Sequence, residues 1–66
     1  MSKPEVRLTG EDGNIFNLMT VARRAMIKHY GHSEGREKAT EMMNQVFKAD
    51  SYETALLIIC DYVDAY

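Results

Sequence analysis

The run Leu56-Leu57-Ile58-Ile59-Cys60, inside the last sixteen residues from Ser51 to Tyr66, constrains this chain most. Consecutive apolar residues cannot share one stripe of a 3.6-residue period, so a helix built on them is apolar around most of its circumference. One neighbouring element would leave part of that set in water. The helix is therefore expected to fill the centre of a small bundle or to continue into an interface with another chain. Chain length sharpens the choice. A chain of 66 residues is one domain, and a core of that size rarely supplies more than about 3–5 kcal/mol without disulfides, metal or oligomerisation. Cys60 is the sole cysteine, which rules out an internal disulfide, and its place in the apolar run suits a reduced, core-filling thiol. Self-association is left as the expected aid.

With 45% hydrophobic and 27% charged residues the composition is that of a folded globular chain rather than a disordered or membrane-embedded one. The start Met1-Ser2-Lys3-Pro4-Glu5 has no apolar signal core, and the longest apolar run, Ala55 to Cys60, is far too short to span a bilayer. A cytoplasmic protein with no membrane partner is the expectation. The net charge of −2 argues against a general nucleic-acid binder.

Pro4 to Thr9 reads as a short strand, because Val6 and Leu8 alternate with Glu5, Arg7 and Thr9. Residues 1–3 are expected to be flexible. Gly10 to Asn14 is dense in turn residues, and Asn14 is a good N-cap for a helix that starts near Ile15. Ile15, Leu18, Met19, Ala22, Ala25 and Met26 recur at helical steps, with Phe16 and Ile27 at the flanks. Gly31 is placed to end this helix at about Tyr30. A hairpin through Asp12-Gly13 competes for residues 14–18, but the apolar period carries on well past Leu18. Gly31 to Gly35 reads as a linker, and Ala39, Met42, Met43, Val46 and Phe47 mark a second helix over roughly residues 34–48. Asp50 with Glu53 resembles a capping box that launches the third helix. The tail from Asp61 to Tyr66 mixes polar and apolar residues, and a short strand pairing with Val6 to Thr9 is an alternative to continued helix. The expected fold is mainly α: a compact three-helix domain with a short N-terminal strand that pairs with the C-terminal tail or with a partner chain.

The segment Leu8-Thr9-Gly10-Glu11-Asp12-Gly13-Asn14, the later Ala22-Arg23-Arg24-Ala25 and the ending Tyr62-Val63-Asp64 give the chain a pattern. It resembles short uncharacterised proteins of bacteria and their phages or plasmids. The resemblance covers most of the chain and implies a mobile-element or accessory context. It brings no activity and no site residues with it.

Chemistry-bearing constellations are sparse. Gly10-x-x-Gly13 has the outline of a phosphate-cradling loop, but Glu11 and Asp12 would repel a phosphate, so a plain turn and cap is the preferred reading. Asp12 and Asn14 have the opening spacing of a calcium loop without its later carboxylates. His29, His32 and Cys60 offer zinc-ligand chemistry, yet Gly31 breaks the helix between the histidines, and a helix-end His29 with a solvated His32 is the simpler reading. No nucleophile stands with a base in a recognisable pocket, so the chain is read as a non-enzyme without cofactor or metal.

Five of the eight Lys and Arg residues, Arg23, Arg24, Lys28, Arg36 and Lys38, fall between positions 23 and 38. Such a stretch can track phosphates, with Tyr30 stacking on a base. Glu34 and Glu37 dilute it, and the acidic, apolar third helix does not suit a major groove. Four methionines lie on helical faces, at least two of them expected in the core. Tyrosines are enriched where apolar contact meets water. The expected function is a small protein–protein interaction or accessory module. It would dimerise through the third helix with Tyr52, Leu56, Ile59, Tyr62, Val63 and Tyr66 at the interface, and it would also engage a heterologous protein. The alternative is a nucleic-acid-associated regulatory module using Arg23, Arg24, Lys28 and Arg36.

Overall fold

Asn14 begins the first long helix as its side chain suggests: extended at φ −64°, ψ 129°, it accepts the Phe16 amide at 2.9 Å. A computed structural model describes residues 3–8 and 13–66. Along the chain run β1 (Glu5–Val6), α1 (Ile15–Tyr30), α2 (His32–Phe47), α3 (Tyr52–Tyr62) and β2 (Asp64–Ala65). The mainly α, three-helix architecture matches the expectation, and residues 15–18 are helix rather than hairpin. The turn at Gly10 to Asp12, with the phosphate-loop and calcium-loop readings placed on it, lies outside the described residues.

Between α1 and α2 the expected linker shrinks to one residue. Gly31 has φ +96°, which side chains rarely tolerate, and its amide bonds the Ile27 carbonyl while its carbonyl accepts the Gly35 amide, each at 2.8 Å. One glycine thus closes one helix and opens the next, and His32 to Gly35 belong to α2. Gly35 is buried, and a Cβ there would lie 2.5 Å from Ile27 Cα and 2.7 Å from the Met26 carbonyl oxygen. It is a packing glycine that lets two backbones touch. With Gly35 against Ile27 and Phe47 near Phe16, the two helices run antiparallel.

The capping box also needs correction. Ser51, not Asp50, is the N-cap of α3: extended at φ −155°, it accepts the Thr54 amide at 3.1 Å and donates to Thr54 Oγ1 at 2.9 Å. After Tyr62 the chain extends, and β2 pairs with β1 in parallel, Glu5 opposite Asp64 and Val6 opposite Ala65. The Asp64 amide bonds the Pro4 carbonyl at 2.8 Å, the Tyr66 amide the Val6 carbonyl at 3.0 Å, and the Leu8 amide the Tyr66 carbonyl at 2.7 Å. The strand–tail pairing is therefore within the chain, and the strand is shorter than Pro4 to Thr9. Lys3, expected to be flexible, reaches across to donate to the Cys60 carbonyl at 2.9 Å, where a cation complements the carbonyl end of α3.

The core joins Val6 to Leu18, Met19, Ala22 and Met26 of α1, Ala39, Met42 and Val46 of α2, and Ala55, Ile59 and Val63 of the last segment. Three methionines are thus core-filling, as expected. The apolar run of α3 is only partly covered: Ile59 is sealed, Leu56 and Ile58 are half-buried, and Leu57 is 68% exposed. Cys60 is exposed rather than core-filling, because Ala55, Ile59 and Val63 take the inward face.

Candidate functional site

Most large apolar side chains that stay in water gather at one end of the bundle. Phe16 is 61% exposed, Phe47 60% and Tyr52 48%. The antiparallel hairpin brings Phe16, in the first turn of α1, beside Phe47, the last residue of α2, with ring centroids 6.3 Å apart at 46°. Tyr52 starts α3 a few residues later, and its hydroxyl donates to the Gly13 carbonyl, fixing the ring at the edge of this face. A groove of about 390 Å³ runs among Phe16, Met19, Phe47 and Tyr52, with Asp50 as the one charged residue in its lining among the described residues. A smaller hollow of about 110 Å³ adjoins it, sharing Phe16 and Met19 and adding Thr20, Met43 and Arg23, which is charged. The face is therefore aromatic at its centre, with a carboxylate at one end and a guanidinium at the other.

Two other hollows are less able to hold a ligand. One of about 560 Å³ is lined by Ser33, Arg36, Glu37, Thr40, Glu41 and Asn44. All six belong to the outer side of α2, so no second element walls it. Another of about 390 Å³ lies between β1 and α1, at Pro4, Glu5, Ala25, Lys28 and His29, where the three ionisable side chains are all exposed to solvent.

The interface expected on α3 is dispersed by the fold. Tyr52 joins the aromatic face. Leu56 is half-buried, and Tyr62 is half-buried with its hydroxyl accepting Gln45 Nε2 at 2.7 Å. Tyr66 is 64% exposed at the end of β2. Ile59 and Val63 are 0% and 1% exposed and pack in the chain's own core, so they offer a partner no surface. Their assignment to an interface is corrected by the rotation of α3 about its axis. Phe16 and Phe47 were missed as surface residues because each sits one step off the buried stripe of its helix, at an end. The signal available in sequence was their placement in the first turn of one helix and the last turn of the next, which an antiparallel hairpin brings together.

The basic residues do not form one stripe. Arg23 is half-buried beside Met43, Arg24 is exposed on α1, Lys28 borders Pro4 and Glu5, and Arg36 stands among Glu37 and Glu41 on the outer side of α2. Tyr30 is half-buried and already occupied, with Lys38 Nζ 5.1 Å from its ring centroid and the His29 ring edge-on at 4.8 Å. Among the described residues no three His, Cys, Asp or Glu side chains converge to hold a metal, so His29, His32 and Cys60 are not brought together. No helix among them is long and apolar enough to cross a membrane. No family model, curated protein or solved structure matches the chain.

Proposed function

We propose that the protein is a non-enzymatic binding module that engages another protein chain through the Phe16–Phe47–Tyr52 face. The observation carrying this reading is the pair of phenylalanines, in mutual contact and each about three-fifths exposed. Covering what remains in water on both rings contributes roughly 3 kcal/mol, and aromatic side chains dominate the energetics of protein interfaces. Scattered exposed apolar residues need no explanation, whereas a clustered patch beside a groove marks a contact surface. The groove supplies shape and apolar lining but no paired acid and base, which favours binding over catalysis. Cytoplasmic residence and a mobile-element or accessory role belong to the same proposal, resting on the sequence reading alone.

A photo-crosslinking residue in place of Phe47, compared with one in place of Glu41 on the outer side of α2, tests this in the native cell. A protein adduct is expected from position 47 and none from position 41. Equal yields, or no adduct from position 47, would remove the support for this face.

A further inference from the structure

The aromatic face carries its charges in a pattern that suits a second copy of itself. Along the seam of α1 and α2 the order is Asp50, then Phe47 beside Phe16, then Met43 beside Thr20, then Arg23. Arg23 lies seven residues beyond Phe16, about 10 Å along the helix, while Asp50 lies past Phe47 in the opposite direction. Among the described residues, Asp50 is the only charged one lining the groove and Arg23 the only one lining the adjoining hollow. Neither is engaged in an ion pair among the described residues. A two-fold interface is self-complementary: whatever one copy presents at one end meets what the other presents at the opposite end.

The geometry points to a symmetric homodimer in which the Phe16–Phe47 pairs of two chains pack at the two-fold axis and Asp50 of each copy faces Arg23 of the other. This rests on the protein-binding reading of the same face and names its occupant. A positive end and a negative end flanking an apolar centre suit an isologous contact, since a face of one sign would repel its own copy. A stable interface takes about 800 Å² per partner, under a fifth of the chain's 4552 Å² surface. The expectation of dimerisation through the third helix is thereby moved to the seam of the first two, with only Tyr52 kept.

Sedimentation equilibrium on the full chain from micromolar to near-millimolar concentration, at physiological salt, tests the pairing. Asp50→Arg and Arg23→Asp reverse one end each, so either variant alone sets like charges against each other twice. Each is expected to weaken self-association about tenfold or more, with helical circular dichroism retained. Mixed in equal amounts the two variants face each other with opposite charges at both contacts, and a heterodimer should form. The double swap Arg23→Asp/Asp50→Arg should dimerise as the natural chain does, which keeps the test decisive if one single variant is poorly folded. A natural chain that stays monomeric, a dimer indifferent to both reversals, or a mixture no more associated than its components would each overturn the inference. A monomeric chain whose position-47 crosslinker still captures a different protein would leave the binding face standing and remove only the second copy. No adduct of any mass would remove both.

Discussion

Gly35 is the residue on which the helical hairpin depends most sharply. The added methyl of Gly35→Ala would meet Ile27 Cα at 2.5 Å and the Met26 carbonyl oxygen at 2.7 Å. Both are backbone atoms that cannot turn aside, so α1 and α2 must separate. The variant is expected to lose about 3 kcal/mol in urea unfolding, the upper range for forced overpacking. Gly31 differs in kind: nothing lies within 4 Å of a Cβ there, and Gly31→Ala should cost about 1–2 kcal/mol through backbone strain at φ +96° alone. The two glycines look alike in sequence, which is why Gly35 reads as part of a linker; only the approach of a second backbone separates a packing glycine from a turn glycine. The start of α3 is ambiguous for a related reason, since Asp50 and Ser51 are adjacent and both cap well. Ser51→Ala is expected to cost about 1 kcal/mol and Asp50→Ala a few tenths, measured by the same unfolding curves; the reverse order would restore Asp50 as the cap.

At the scale of the element, α1 was readable to the residue because its apolar positions are separated by polar ones and its ends carry Asn14 and Gly31. The rotation of α3 was not. In Leu56-Leu57-Ile58-Ile59-Cys60 every position is apolar, so hydropathy holds no phase, and the inward face was decided by packing against α1 and α2. Ala55, Ile59 and Val63, at four-residue steps, went inside. Ile59→Ala should therefore destabilise by about 2–5 kcal/mol, whereas Leu57→Ala should stay within about 0.5 kcal/mol of the natural chain. Similar losses at both positions would mean that α3 is turned differently. Cys60 gives an independent reading of the same rotation: lying exposed, it should react stoichiometrically with a thiol reagent in the native protein. Protection until unfolding would place it in the core. The strand–tail pairing was legible only as one of several alternatives, because two-residue strands leave almost no periodicity to detect.

The whole molecule closes its core from both termini, with β1 and β2 paired and Val6 and Val63 buried together. The opposite demand, an apolar surface left in water, is met where the helix ends converge on Phe16, Phe47 and Tyr52. Sequence reasoning placed the buried Ile59 and Val63 at a surface and overlooked the exposed Phe16 and Phe47, because it weighed the amount of apolar residue in α3 rather than where an antiparallel hairpin sets its end residues. Its general expectation, a small helical domain with more apolar surface than it covers, agrees with the face described. Because Phe16 is already mostly exposed, Phe16→Ser should cost only about 1 kcal/mol of folding stability, so fold and binding can be separated. The most direct measurement of the central claim is the adduct yield from a crosslinker at position 47 in the native cell, with Phe16 intact and with Phe16→Ser. A clear adduct is expected in the first case and a several-fold loss in the second, with unchanged helical content in both. An adduct yield indifferent to Phe16 would contradict that claim.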